Sequence, residues 1–224
     1  MRVVAVIHGP DVGPELLGDV VRAEGHELVE WDAASATAVP EGDAVIVLGG
    51  RQNVGEERAF PWLEREYELV RGWLERGTPL LGVCLGSQTL AHAAGGRVAR
   101  ASAPLAGFYE TELTAAGEAD PVLGVLPSRF DALNANGHAF EVPPGAVELA
   151  RTGERSQGFR VGDRAWGVQF HPEVRQEQVL RWFGGDRELP KPFDELRGDI
   201  DAGIARWQEL GARLGRAFLA AASG

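Results

Sequence analysis

The chain has 224 residues, 44% of them hydrophobic and 25% charged, with a net charge of −11. That balance predicts a soluble globular domain over residues 1–224, and the excess of acid argues against nucleic acid or an anionic membrane as partner. No stretch reaches the ~18 uninterrupted apolar residues of a membrane span, and the single cysteine cannot close an intrachain disulfide, so a cytoplasmic protein is expected.

From the amino terminus, Val3 to Ile7 reads as a strand whose continuous β-branched character implies cover on both faces. His8-Gly9-Pro10 ends this run short of the roughly 7–15 apolar residues of a secretory segment. Pro14 suits the first turn of a helix that Gly25 stops. Glu27 to Trp31 and Ala44 to Leu48 read as the next strands, the latter closed by Gly49-Gly50. Pro61 opens a helix with Leu63, Tyr67, Val70 and Leu74 on one stripe. Pro79 to Val83 is a fourth buried strand, and Leu85 to Ala94 a helix stopped by Gly95-Gly96. Strand and helix in alternation imply right-handed crossovers and a parallel sheet between helices.

The second half changes character. Tyr109 to Thr114 alternates, Val147 to Thr152 is a short strand, and Gly158–Val161 with Ala165–Phe170 forms a hairpin around Gly162-Asp163. Arg175 to Phe183 is helical, and a helical segment over about 186–224 completes the domain, amphipathic through Leu196, Ile200, Ile204, Trp207 and Leu214. The expected fold is therefore α/β: a mostly parallel sheet sandwiched by helices, with a small antiparallel extension.

Reactive groups in open α/β sheets collect beyond the carboxyl ends of strands. Cys84 stands there, inside Gly82-Val83-Cys84-Leu85-Gly86. This is the spacing of a nucleophile elbow, in which a sharp strand-to-helix turn needs glycines two before and two after the reactive residue. The free N–H groups and positive dipole end of the following helix favour a thiolate. A thiol also needs a base, and the base a third group that orients it. His171 directly follows an apolar strand, and Glu173, two residues on, points to the same side. His8 reads as a partly buried histidine at a strand end, and His26 and His92 as surface or packing positions. No Cys/His cluster has metal spacing and no glycine-rich loop matches a phosphate cradle, so neither metal nor cofactor is expected.

Gly82-Val83-Cys84-Leu85-Gly86-Ser87-Gln88, with Gly95-Gly96 after it, and Gly167-Val168-Gln169-Phe170-His171-Pro172-Glu173 resemble the two signatures of class I glutamine amidotransferases. Gly49-Gly50 and Asp120-Pro121 share in the resemblance, which covers residues 1–185 and is nearest to stand-alone members similar to the glutaminase domain of GMP synthase. The resemblance implies a flavodoxin-like α/β fold and a Cys84-His171-Glu173 triad that hydrolyses the glutamine side-chain amide through a thioester, with ammonia passing to an acceptor or synthase partner. It further implies oxyanion donors at the N–H groups of Gly50 and Leu85, and a substrate contact at Gln88. Two departures stand out. Arg51 replaces the family's usual proline, which leaves the loop after the paired glycines free to rotate and predicts weak activity in isolation. Asn134-Ala135-Asn136-Gly137-His138 falls where relatives carry a His-Gly-Asp-like segment, so Asn136 and His138 read as a polar turn or as the mouth of the site. Two further readings keep the same residues: hydrolysis of a γ-glutamyl or other amide metabolite, and a non-catalytic regulatory or binding homologue.

Overall fold

The computed structural model describes residues 1–35, 37–184 and 189–224. Among the described residues nine strands form one sheet, in the order β2-β1-β3-β4-β9-β8-β7-β5-β6. The first five neighbours run parallel: β2 (Glu27–Asp32), β1 (Arg2–Ile7), β3 (Ala44–Val47), β4 (Leu80–Val83) and β9 (Ala165–Val168).

Alternate residues of the parallel strands feed two separate cores. Val3 and Ala5 of β1 join Ile46 and Leu81 beneath α1 (Glu15–Ala23) and α6 (Phe193–Ser223). Val4 and Val6 join Val45, Val47 and Leu80 beneath α2 (Trp62–Glu75) and α3 (Leu85–Ala93). Both faces are apolar because both are covered, and this is why the strands read as unbroken hydrophobic runs. The inner stripe of α6 is longer than expected from sequence, running from Leu196 through Trp207 and Leu210 to Phe218. Of the helical segment expected over 186–224, residues 186–188 lie outside the described residues.

The expectation of a mostly parallel sheet needs correction. The strands β8 (Arg155–Val161), β7 (Val147–Thr152), β5 (Val98–Leu113) and β6 (Arg129–Phe140) are joined by antiparallel pairings, and β8 is antiparallel to β9. β5 and β6 are the longest strands, so the antiparallel part is no small extension. Asn134–His138 is not a turn but the middle of β6, with Asn136 opposite Leu105. The alternating segment from Tyr109 is the end of β5, while two features hid its first part and β6. Ser102, Pro104 and Gly107 dilute the pattern of β5, and the buried positions of β6 include Ala132, Asn134 and Asn136 in place of large apolar residues. Two short elements link β5 to β6: α4 (Ala115–Glu118) and a 3₁₀ turn at Leu123–Val125. Asp120 holds that link, accepting from the N–H groups of Val122 and Leu123, from Trp166 Nε1 at 3.0 Å and from Arg160 Nε at 2.9 Å. Among the described residues, no helix is long and apolar enough to cross a membrane.

Candidate active site

The parallel strands β1, β3, β4 and β9 end at one edge of the sheet, where the order reverses around β1. Beyond their carboxyl ends lie His8, Gly49-Gly50, Cys84 and His171 respectively. Such a switch point is where open α/β sheets leave a crevice.

Cys84 occupies the turn from β4 into α3 with φ 51° and ψ −107°, a backbone conformation that side-chain-bearing residues seldom adopt. Its N–H donates to Val168 O at 2.8 Å and its carbonyl accepts from Gln88 N–H at 3.0 Å, so strand and helix grip it from both sides. The flanking glycines follow from close approach. A Cβ at Gly82 would lie 2.5 Å from Gly86 O, and one at Gly86 only 2.0 Å from Val47 O. Leu85 opens α3, whose first N–H groups have no intrahelical acceptor; that of Gly86 donates to Leu48 O at 3.1 Å.

His171 and Glu173 are both buried, and Nδ1 lies 2.8 Å from Glu173 Oε1. Burial opposes charge on this ring, yet the Glu173 carboxylate and then Cys84 outweigh it and push the imidazole up to about 10. Nε2, turned away from Glu173, has no partner that meets hydrogen-bond geometry, so Cys84 acts on the ring by proximity; resting sites often show such loose contacts. The segment is clamped from outside. Trp207 Nε1 of α6 donates to His171 O at 2.7 Å, Leu16 N–H of α1 donates to Glu173 O at 2.9 Å, and the Trp182 ring stands edge-on to the imidazole at 4.9 Å. In the sequence Trp207 reads only as a member of an apolar stripe. Its indole N–H was the available signal, since a buried Trp needs an acceptor.

Gln88, one helical turn after Cys84, is buried and donates through Nε2 to His138 O and to Gln169 Oε1, both at 3.2 Å. Asn136 Nδ2 also donates to His138 O, at 3.0 Å. The β6 segment is thus brought against the Cys84 helix. Buried Asn136 Oδ1 and Gln169 Nε2 remain without partners there, leaving an acceptor and a donor near the site.

Arg51 is exposed and pairs with Asp11 at 3.0 Å. The Gly49–Gly50 peptide is held separately: Gly49 O accepts from His8 Nδ1 at 2.8 Å, and His8 Nε2 sits 2.8 Å from Glu66 Oε2. His8 is therefore not the partly buried strand-end histidine expected from sequence, but half of a fully buried pair. Burial opposes its charge, and Glu66 more than offsets that, raising its pKa. Among the described residues, no group of His, Cys, Asp and Glu could hold a metal ion. The arrangement as a whole offers a thiol at a helix start, an imidazole oriented by a carboxylate, and main-chain N–H groups of the Gly49–Arg51 loop and α3 nearby. Such a set can carry nucleophilic attack on an acyl carbon.

The glutamine amidotransferase class-I family model matches residues 19–179. A glutamine-hydrolysing GMP synthase from Aeropyrum pernix is 37% identical over 150 residues, which is 66% of this chain and 27% of that protein. A γ-glutamyl-L-1-hydroxyisopropylamide hydrolase from a Pseudomonas species is 34% identical over 143 residues, 59% of this chain and 47% of that protein. A solved glutamine amidotransferase from Thermotoga maritima superposes with a TM-score of 0.85 at 26% identity, covering 97% of this chain and 98% of that one. The chain spans about a third or less of the length of the GMP synthases it matches first.

Proposed function

Since the chain belongs to the class I glutamine amidotransferase family, we propose that it hydrolyses the side-chain amide of glutamine through Cys84, His171 and Glu173 and delivers the ammonia to a synthase partner. Cys84 Sγ attacks the amide carbon, and the oxyanion is met by the N–H groups of Leu85 and Gly50. His171 Nε2 passes its proton to the departing ammonia, while Glu173 holds Nδ1–H and stabilises the imidazolium. Water, deprotonated by His171, then attacks the thioester and releases glutamate and free thiol. Gln88 lines the glutamine pocket, with its amide pre-oriented by His138 O and Gln169. The observation that carries this reading is the 2.8 Å His171–Glu173 contact behind a cysteine held at positive φ.

The same three groups act on the acyl side of the amide and do not require ammonia as leaving group. Hydrolysis of other γ-glutamyl amides is the second reading, supported by the resemblance to the Pseudomonas hydrolase. Steady-state release of glutamate from L-glutamine, set beside a panel of γ-glutamyl amides, tests both. A kcat/KM for glutamine well below that for a substituted amide would favour the second, and no turnover on any would overturn both.

A further inference from the structure

The buried pair on the far side of the Gly49–Gly50 peptide has no part in the chemistry above, yet its hydrogen-bond logic reaches into it. A carbonyl oxygen can only accept, so the His8 nitrogen facing Gly49 O at 2.8 Å carries a hydrogen. The other nitrogen faces a Glu66 oxygen at 2.8 Å. With Glu66 as carboxylate, both nitrogens donate and the ring is an imidazolium. Trp62 stacks on that ring at 5.5 Å and 14°, and an electron-rich face there favours a cation. Glu66, Trp62 and His8 come from α2 and the end of β1, and the peptide they hold follows β3.

The position of that peptide matters for a geometric reason. In a trans peptide, C=O and N–H point in opposite directions, and among the described residues there is no cis bond. With Gly49 O drawn to His8, the Gly50 N–H faces away from His8. Gly49 itself borders the reacting groups: a Cβ there would lie 3.1 Å from His171 Cε1 and 3.6 Å from Cys84 Cβ. A glycine pair can otherwise rotate this peptide at little steric cost, and rotation would replace the N–H by a carbonyl dipole of the wrong sign. Were the His8 ring to lose its Nδ1 hydrogen, two lone pairs would oppose each other across 2.8 Å and drive that rotation.

We propose that His8, anchored by Glu66, is a positioning residue that pins the Gly49–Gly50 peptide with its N–H turned toward the oxyanion formed at Cys84. This rests on the glutaminase reading above and adds to it the device that keeps the oxyanion hole formed without the proline that Arg51 replaces.

The test is a substitution series in the full chain, assayed for L-glutamine hydrolysis and, separately, for alkylation of Cys84 by iodoacetamide, a displacement that forms no oxyanion. His8→Leu has no donor. The side-chain N–H of His8→Asn stands near the place of Nδ1 and reaches Gly49 O alone. That of His8→Gln stands near the place of Nε2 and reaches Glu66 alone. Loss of one oxyanion donor lowers kcat by about 10²–10³-fold, so kcat should fall about 10²-fold in His8→Leu, with KM and the alkylation rate close to wild type. His8→Asn should recover roughly tenfold of that loss, as a neutral donor to the same carbonyl, while His8→Gln should not. If His8→Gln equals or exceeds His8→Asn, the pair merely satisfies a buried carboxylate and the proposal is overturned. Should His8→Leu fail to fold, the double variant His8→Leu/Glu66→Leu removes the orphaned charge, and wild-type turnover in it overturns the proposal equally. Wild type that is alkylated but hydrolyses no γ-glutamyl amide sinks the glutaminase reading and this inference with it; active wild type with unimpaired variants sinks this inference alone.

Discussion

Replacing Glu173 by Gln changes one charge at a buried contact of 2.8 Å and leaves the shape almost intact. In the folded chain His171 is raised from 6.5 to about 10, against the opposing effect of burial, with Glu173 the larger of the charges responsible. A gap of that size corresponds to about 5 kcal/mol in favour of the imidazolium, at 1.36 kcal/mol per unit. Because the folded value lies above the unfolded one, this stabilisation is fully present below pH 6.5 and is lost as pH rises through about 10. In the proposed mechanism turnover needs the imidazolium as proton donor to the leaving amine, so wild-type activity should persist into alkaline solution and fall near pH 10. Glu173→Gln removes the attraction but keeps the burial, so its alkaline fall should move to lower pH by two units or more, on the order of the coupling of a close buried pair. At neutral pH its kcat should drop about 10²–10⁴-fold, as when a triad carboxylate is replaced by its amide. Direct measurement of glutamate by proton resonance from pH 5 to 11 avoids coupling enzymes with their own pH limits. An alkaline limb that stays in place in Glu173→Gln would refute the assignment of this carboxylate as the charge that sustains His171.

Cys84→Ala should abolish turnover, and Cys84→Gly should do so while melting at a higher temperature than Cys84→Ala, because glycine relieves about 1–3 kcal/mol of positive-φ strain; equal melting temperatures in the two variants would argue that the elbow stores no strain. Trp207→Phe keeps most of the packing against Phe130 and Phe170 but leaves His171 O unpaired, so thermal unfolding should show about 1–3 kcal/mol of lost stability and kinetics a larger effect on kcat than on KM. The loop that Arg51 leaves free to rotate in the sequence reading is held here through His8. Arg51→Pro should therefore change basal turnover by less than about threefold, Arg51 itself contributing one exposed ion pair; a large rise in ammonia release by the isolated variant would show that the loop is loose in the free protein.

What the sequence alone determined is what local physics writes into contiguous residues. Val3 to Ile7, Ala44 to Leu48 and Pro79 to Val83 are unbroken apolar runs because strands covered on both faces cannot alternate. Gly82 and Gly86 announce the elbow because Cβ atoms there would strike backbone. His171-Pro172-Glu173 is compact enough for one carboxylate to be matched to one ring. The tertiary structure decided the rest. Of β5 only the end from Tyr109 was legible, and β6 escaped, because period-2 patterning needs a contrast in hydrophobicity and Asn134 and Asn136 supply polar groups at buried positions. The pairing of Gln88 with β6, the clamp of Trp207 on His171, and the hold of His8 and Glu66 on Gly49 join residues 36 to 58 positions apart. Hydrogen bonds of that kind leave no trace in spacing or composition, since each partner is locally indistinguishable from a surface polar residue until the chain has folded around it.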